Sequence, residues 1–292
     1  MSSAAEPAPS VRIRRATPSD AQACGKICYE AFAAINTTHS FPPDFPSADV
    51  AAHVLASMFS HPAFFCVVAE ADGRVVGSNC LDERNPIAGI GPITVDPSSQ
   101  NRGAGRLLMQ AVMDRAQERS VPGLRLVQAA FHSRSLALYT SLGFEVREPL
   151  SCLQGHPQPL TIDGRSVRPA EPRDAGECNQ LCERVHGLHR AGELADAIGK
   201  TALVVEHNGR ITGYATVLGF FGHAVAESNP DLQAMIASTS HLAGPGILVP
   251  TRNTELLRWC LERGLRIVQP LTLMSTGRYH EPTSAYLPSI SY

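Results

Sequence analysis

The strongest constraint on the fold is an internal repeat in this chain of 292 residues. Three segments of the first half recur in the second half in the same order, and the first pair aligns without gaps. Chance explains any single pair but explains an ordered set poorly, so we predict two copies of one α/β unit. The paired segments are Arg14–Cys28 with Arg168–Cys182, Val68–Gly77 with Val204–Gly213, and Gly123–Gln128 with Gly264–Gln269.

Within the first copy, short apolar strands alternate with amphipathic helices. Pro18, Ser19 and Asp20 open the first helix, because proline suits a first turn and serine or aspartate caps one. The other predicted helices are Gly103–Glu118 and Ser133–Leu142. The predicted strands are Val11–Ala16, Phe64–Glu70, Arg74–Leu81, Ile87–Val95, Leu124–Phe131 and Phe144–Glu148, with a hairpin turn at Asp72-Gly73.

The predicted fold class is α/β, or more narrowly an α+β mixed sheet. We expect two tandem domains, each with a twisted central mixed β-sheet flanked by helices. The predicted divisions are a disordered tail at 1–10, a first domain at 11–154, a linker rich in proline and glycine at 155–165, and a second domain at 166–292.

Composition narrows the classes of function. The net charge of −2 offers no electrostatic basis for binding nucleic acid or an anionic membrane. The first ten residues lack the basic and apolar regions of a secretory signal, and no apolar run approaches the roughly 20 residues that span a bilayer. We therefore expect a cytoplasmic protein, either a monomer or a homodimer.

Two cysteine pairs lie at helical i, i+4 spacing, Cys24 with Cys28 and Cys178 with Cys182. Such a pair can contribute to a metal site, but no second His or Cys pair completes either one at a familiar spacing. The alternative is that all four are small apolar residues on the inner faces of helices. We favour this second interpretation and expect no metal.

Two glycines stand where a strand leads into a helix, in the stretch "DPSSQNRGAGRLLM" from Asp96 to Met109. Each glycine in a helix costs about 1 kcal/mol relative to alanine, so Gly103 and Gly105 indicate either a tolerated turn or a close approach to the backbone. Free N–H groups and the helix dipole favour phosphate at such a site. Arg102 and Arg106 would add positive charge.

The residues around these glycines resemble the GNAT superfamily of acyl-CoA N-acyltransferases. Gln100–Gly105, "QNRGAG", matches its Q/R-x-x-G-x-G/A motif and follows the strand and turn "ITVDP". Ser135–Phe144, "SLALYTSLGF", matches its L-Y-x-x-x-G-F segment. The resemblance covers roughly residues 11–150. A P-loop is excluded because no Gly-Lys-Ser/Thr follows, and the Rossmann spacing is missing.

This resemblance implies acetyl-CoA as co-substrate and assigns roles to particular positions. The amides of 102–107 would hold the pyrophosphate, and the strand Ile90–Val95 would bind the pantetheine arm. An N–H of Ile93 or Val95 would polarise the thioester carbonyl. Tyr139 would protonate the departing CoA thiolate. The implied cofactor-binding residues are Ile93, Thr94, Val95, Gln100, Asn101, Arg102, Gly103, Ala104, Gly105, Arg106, Leu107, His132 and Tyr139.

Two departures from the family pattern affect the proposed catalytic residues. Many members have asparagine seven residues before the tyrosine, where this chain has His132, which is either a CoA contact, a base or a structural histidine. No single general base stands out. Asp82 and Glu83, before the strand Ile87–Val95, are the best candidates, against the alternative that they are solvated turn residues. Glu30 and His39 are weaker candidates.

The second copy lacks a glycine turn at the place that the repeat predicts. Between "GILVP" and the helix Glu255–Glu262 it reads "TRNTE", Thr251–Glu255, and no L-Y-x-x-x-G-F segment follows. We expect a degenerate copy that binds no cofactor, braces the first and walls the substrate cleft. The aromatic end, Tyr279–Tyr292, is expected to pack there rather than to form a free tail.

The function predicted from the sequence is therefore N-acetylation of a small-molecule primary amine by direct attack on acetyl-CoA in a ternary complex. A ping-pong route through Cys66 or Cys80 is an alternative, although no Cys-His pair is visible in the motifs. Acetylation of protein or peptide amines, and a non-catalytic CoA sensor, are the other hypotheses. The sequence does not name the acceptor.

Overall fold

The computed structural model describes residues 11–100 and 102–291, which form fourteen strands and eight α-helices. The predicted tail at 1–10, Asn101 and Tyr292 lie outside the described residues. The strands are β1 (Arg12–Arg15), β2 (Phe64–Ala71), β3 (Arg74–Asp82), β4 (Ala88–Ile90), β5 (Thr94–Val95), β6 (Gly123–Ala129), β7 (Glu145–Gln154), β8 (Arg165–Pro169), β9 (Leu203–His207), β10 (Arg210–Ala215), β11 (Ala224–Ala226), β12 (Ile247–Pro250), β13 (Arg266–Gly277) and β14 (Ala285–Leu287). The helices are α1 (Ala21–Thr38), α2 (Ala48–Ser60), α3 (Ala104–Glu118), α4 (Ser133–Ser141), α5 (Ala175–His186), α6 (Ala191–Ala197), α7 (Asn229–Ala237) and α8 (Thr254–Glu262).

The chain divides into two compact units. The first unit holds residues 11–38, 43–82 and 90–120, and the second holds 39–42, 83–89 and 121–291. The units therefore cut across the predicted domains, because β6, α4 and β7 belong with the residues after 165. Residues 155–164 contain no helix or strand.

The first unit is an antiparallel sheet with helices packed on it. Strands β1, β2 and β3 pair in that order, and β5 pairs with β3. Helix α3 packs on β2 and β3, while α1 packs closely on α2. Gly25 makes that approach possible, because a Cβ there would overlap the backbone of Ala52. Helix α2 was not predicted from the sequence.

The second unit contains two groups of strands. One is antiparallel, with β8, β9, β10, β11 and β14 side by side. The other has β6 paired with β13, β13 with β7, and β7 with β12, all antiparallel, while β4 joins β6 in parallel. Parallel and antiparallel pairing together confirm the predicted mixed sheet flanked by helices.

The first repeated segment produces the same ion-pair arrangement in each unit. In the first unit, Arg14 donates to both oxygens of Asp20 at 2.8 Å and to Glu70 at 2.7 Å. In the second, Arg168 bridges Asp174 and Glu206 in the same way. The guanidinium hydrogen bonds hold the pKa of Asp20 and of Asp174 below the usual range. The repeat is therefore structural as well as sequential.

The third repeated pair is not equivalent in the fold, so that part of the prediction was wrong. Gly123–Gln128 lies in β6, which precedes α4, whereas Gly264–Gln269 leads into β13, which follows α8. By chain order, β12 is the counterpart of β6, and β13 is the counterpart of β7. The match misled because a glycine before an apolar strand recurs at many helix-to-strand junctions.

The corrected alignment exposes an exchange of strands within the second unit. Strand β13 of the second half lies between β6 and β7 of the first half, with Leu273 opposite Val127 on one side and Glu148 on the other. Strand β7 in turn pairs with β12. The last strand of each copy therefore adds to the sheet of the other copy. Long antiparallel partners also explain why β7 extends to Gln154, beyond the predicted Phe144–Glu148.

The predicted strand Ile87–Val95 is also corrected, because it is interrupted at Gly91-Pro92. Pro92 has no N–H to donate, and Gly91 adopts a φ of +134°, outside the range of extended strands. Pairing with β3 resumes at Thr94. The interruption separates β4, which pairs with β6, from β5.

The paired cysteines are buried apolar residues in the structure. Burial raises the pKa of Cys24 and of Cys178 to about 12, and their partners Cys28 and Cys182 are equally buried. Across 11–100 and 102–291, no group of His, Cys, Asp and Glu side chains is arranged to hold a metal ion. None of the helices in these ranges has the length and apolar character needed to cross a membrane.

Candidate active site

The glycine turn of the first unit connects the end of β5 to the start of α3. Asp96 follows β5 and accepts the N–H and the hydroxyl of Ser98, and these bonds hold the pKa of its carboxyl below the usual range. The carboxylate thus shapes the turn. Gly103 is the N-cap of α3 with a φ of +83°, a left-handed conformation that favours glycine. A Cβ at Gly103 would have no atom within 4 Å, so the space beside it is open.

The first turn of α3 places backbone N–H groups ahead of the first hydrogen bond of the helix. The amide of Leu107 donates to the Gly103 carbonyl at 3.1 Å, which is the first bond of the helix. The amides of Ala104 and Gly105 precede that bond along the chain, so the helix itself supplies no acceptor for them. Among the amides predicted to hold the pyrophosphate, that of Leu107 already donates to a carbonyl of the turn. No acidic residue stands in this first turn.

The edge of β5 supplies a further donor. Gly77 faces Val95 and Ser78 faces Thr94, while the Asp96 amide donates to the Val76 carbonyl at 2.8 Å. Because hydrogen bonding alternates along an antiparallel pair, the N–H and C=O of Val95 point away from β3. The Val95 carbonyl accepts from the side-chain amide of Gln100 at 3.3 Å. Gln100 thus braces the strand end, and the Val95 N–H remains directed outward.

Tyr139 lies in α4 of the second unit and is 6% exposed. Its ring meets that of Phe144 edge to face, with centroids 6.3 Å apart. Among the described residues, none forms a hydrogen bond with its hydroxyl. Burial raises the pKa of Tyr139, so the phenol keeps its proton at neutral pH. A buried, protonated hydroxyl without an internal partner fits the predicted proton donor.

His132 is the N-cap residue of α4 and is half-buried. Burial, together with the charges of Arg134 and His39, lowers its pKa, so the imidazole is neutral at pH 7. His39 lies beside the ring of Phe131, with centroids 5.0 Å apart. The second unit therefore places His39 and His132 close together, beside the helix that carries Tyr139.

The carboxylate candidates differ in their surroundings. Asp82 ends β3 in the first unit and is 6% exposed, so it is not a solvated turn residue. Glu83 is half-buried and begins the loop to β4, which belongs to the second unit. Glu30 lies on the surface and pairs with Lys26 one helical turn away. Of these three carboxylates, Glu83 alone lies in the same unit as Tyr139 and His132, and it is partly accessible.

The thiols do not form an activated nucleophile. Cys66 and Cys80 face each other across β2 and β3, and both are buried. Burial raises the pKa of Cys80 well above its ordinary value, which keeps the thiol protonated and unreactive. This geometry disfavours the ping-pong route.

The Acetyltransferase (GNAT) family matches residues 31–144, a range that contains the glycine turn, His132 and Tyr139. Residues 31–144 of this chain form a GNAT acetyltransferase-family domain. The match ends at Phe144, where the segment "SLALYTSLGF" ends.

Two curated acetyltransferases are similar to parts of this chain. Over 101 residues it is 32% identical to mycothiol acetyltransferase of Nocardia farcinica, a match that covers 33% of each chain. Over 52 residues it is 44% identical to the ribosomal protein bS18-alanine N-acetyltransferase of Salmonella typhimurium, covering 18% of this chain and 35% of the other. The chain thus spans about a third of the length of these curated relatives.

Two solved structures share the fold of this chain over most of its length. A protein from Pyrococcus horikoshii superposes with a TM-score of 0.74 at 18% identity, covering 97% of this chain and 94% of that one. A tandem GNAT protein from the clavulanic acid biosynthesis pathway superposes with a TM-score of 0.54 at 16% identity, covering 92% and 98%. These likenesses support the tandem GNAT architecture.

Within the GNAT order of elements, α7 and not α8 is the counterpart of α3. Each follows a short strand after the repeated hairpin and packs on the strands of that hairpin. The repeat predicts "TRNTE" as the counterpart of the glycine turn. It precedes α8, however, and α8 is the counterpart of α4. The signal that could have corrected this is the cap Ser228-x-x-Asp231 after the short strand β11.

The start of α7 is closed to an anion. Pro230 has no N–H, and the buried carboxylate of Asp231 occupies the first turn of the helix. Asp231 accepts from Arg165 and Thr212 at 2.9 Å each and from Ser228. A phosphate at this end of α7 would meet a fixed negative charge. Strand β14 also covers the edge of β11, with Tyr286 opposite Val225.

Proposed function

We propose that this chain is an N-acetyltransferase that transfers the acetyl group of acetyl-CoA to a primary amine of a small molecule in a ternary complex. The observation that carries the proposal is the start of α3, where Gly103 leaves open space beside the amides of Ala104 and Gly105, which precede the first helical hydrogen bond. Those donors suit a pyrophosphate. We further infer that residues 11–154 bind the co-substrate and that 166–292 form the degenerate copy.

Each proposed step uses a named group of the chain. The amine nitrogen attacks the thioester carbonyl, whose oxygen accepts the Val95 N–H as negative charge develops. The C–S bond breaks, and the Tyr139 hydroxyl donates its proton to the thiolate. Glu83 or His132 takes the proton that the amine loses. Gln100 holds the Val95 strand end, which keeps that N–H directed outward.

The acceptor class is inferred from the relatives. The match to the mycothiol enzyme extends over 101 residues, against 52 for the bS18-alanine enzyme, which supports a small molecule over a protein. The shorter match is the more identical one, so a peptide amine is the second candidate. A CoA sensor without turnover is the third.

An assay of thiol release from acetyl-CoA tests the proposal against a panel of amines, amino acids, aminosugars and peptides. Turnover confined to small amines supports it. Turnover confined to peptides supports the second candidate. Tight CoA binding without release of thiol from any member of the panel would favour the sensor and overturn the proposed activity.

We predict that one molecule of CoA binds per chain. The Asp231 carboxylate and Pro230 close the α7 end, whereas the α3 end is open. Isothermal titration calorimetry measures the stoichiometry directly. Two equivalents bound with similar affinity would contradict the assignment of the second copy as degenerate.

We predict that His132→Asn changes the acid limb of the pH profile if His132 is the base. Its pKa lies below the ordinary value of 6.5, so the neutral imidazole persists at pH 7 and is lost only as the pH falls below 6.5. The wild-type kcat/KM should decline in that range. In His132→Asn the decline should disappear and the plateau should fall by about 100-fold or more. An unchanged profile would assign the base to another residue, with Glu83 next.

A further inference from the structure

We propose that helix α6, from the second half of the chain, is a positioning element that holds the loop bearing Glu83. The loop runs from Glu83 to Ile87 between β3 and β4, and it belongs to the second unit together with α6. This inference rests on the proposed function, because it assigns a task to the degenerate copy in the reaction of the first. Gly192 and Asp196 act through the loop and are not placed in contact with substrate.

Three contacts join α6 to this loop. The Arg84 guanidinium pairs with the Asp196 carboxylate at 3.0 Å. The Glu193 amide donates to the side-chain oxygen of Asn85 at 3.5 Å, the longest of the contacts. Gly192 lies directly against the Arg84 backbone. These contacts involve the two residues that immediately follow Glu83.

Gly192 is the residue that permits this approach. A Cβ at that position would overlap the Arg84 carbonyl oxygen and would lie only 3.0 Å from the carbonyl carbon and the Cβ of Arg84. Backbone is the part of the loop that would meet the added methyl group, so a flexible side chain cannot relieve the overlap. Either the loop or the helix must move if Gly192 is replaced.

Helix α6 is itself anchored strongly, so the loop is the part expected to move. Leu194 is 1% exposed in an apolar cluster with Cys178 and Leu181. Glu193 is buried and pairs with Arg190 at 2.6 Å and with His223 at 3.1 Å. Burial alone raises the pKa of Glu193, but Arg190 and His223 hold it below the usual range, so the carboxylate stays ionised.

His223 links Glu193 of α6 to Tyr214 of strand β10. Burial and Arg190 lower the pKa of His223, so its ring is neutral. Its Nδ1–H donates to Glu193, while Nε2 accepts from the Tyr214 hydroxyl at 2.9 Å. Tyr214 lies in β10 and is fully buried. A buried carboxylate with these partners resists displacement, because removing one partner of a buried pair leaves an uncompensated buried charge.

The test compares Gly192→Ala with Gly176→Ala. Both glycines lie in the first turn of a helix, but a Cβ at Gly176 would meet no atom within 4 Å. In Gly192→Ala, hydrogen–deuterium exchange of the peptide covering 83–89 should rise by about tenfold. The kcat for acetyl transfer should fall by about tenfold or more, because small misplacements of catalytic groups are costly. The KM for acetyl-CoA should not change, and Gly176→Ala should match the wild type in all three measurements.

A second variant covers the case in which Gly192→Ala does not fold. Asp196 is 43% exposed, so Asp196→Asn removes the pair with Arg84 without opening the core. It should raise exchange in the same peptide, and Asp196→Glu should restore it. Exchange and kcat equal to those of Gly176→Ala would overturn the inference. A wild-type chain without turnover would refute the proposed function, while the exchange measurement would still decide whether α6 holds the loop.

Discussion

Replacing Gly105 by valine is expected to weaken CoA binding by at least about 100-fold, which is roughly 2.7 kcal/mol. Gly105 is the second residue of α3, directly among the amides proposed to bind the pyrophosphate. Two methyl groups there would stand between the phosphates and the backbone. The substitution should leave folding intact, because glycine is a poorer helix former than valine. Calorimetric titration with CoA measures the affinity, and thermal unfolding measures the stability.

Gly176→Val is the matched control for this experiment. Gly176 is the second residue of α5, and like Gly105 it follows an alanine. CoA affinity should be that of the wild type in this variant. Gly103→Val should also abolish binding, but it forces a valine into a φ of +83° and therefore strains the backbone as well. Unchanged affinity in Gly105→Val would refute the assignment of the cofactor site.

Replacing Tyr139 by phenylalanine is expected to lower kcat by about 100-fold or more, the usual contribution of a general acid. The phenol keeps its proton because burial raises its pKa, and among the described residues it has no hydrogen-bond partner to lose. The melting temperature and the KM for acetyl-CoA should therefore remain close to those of the wild type. Steady-state kinetics and calorimetry together separate loss of the acid from loss of the fold.

Tyr286→Phe is the control for the tyrosine. Tyr286 is 8% exposed, and its buried hydroxyl has no hydrogen-bond partner among the described residues, but it lies in β14, within the half proposed to bind no cofactor. The same atom is removed from a similar environment, and kcat should not change. A Tyr139→Phe enzyme with full kcat would show that Tyr139 is only a core aromatic residue and that the thiolate is protonated by another group.

Much of the candidate site could be predicted because its signals are local. A glycine at a positive φ, an N-cap and the unpaired amides of a first turn are set by neighbours within about one helical turn. Gly103 and the start of α3 were therefore found from "QNRGAG" alone. The bond from the Leu107 amide to the Gly103 carbonyl could not be placed from sequence, because helix ends predicted from sequence are uncertain by one or two residues.

Features that depend on distant residues could not be predicted. No residue near "TRNTE" indicates that β7 and β13 exchange places between the two copies, because that pairing joins strands far apart along the chain. Nothing near Glu83 shows that its loop meets Gly192. The interruption at Gly91-Pro92 could have been predicted from the sequence, since a proline in a strand argues against continuous pairing.

By itself, the sequence determined that one α/β unit is repeated, that a glycine turn precedes a helix in the first copy, and that Tyr139 lies in a segment resembling the GNAT L-Y-x-x-x-G-F motif. The residues that carry each of these signals lie close together along the chain. Only the tertiary structure decided which strands were exchanged, why Asp231 closes α7, and how α6 reaches the loop of Glu83. Those outcomes depend on side chains far apart in sequence, whose pairing is selected by burial and by the need to satisfy buried charges once the sheets have formed.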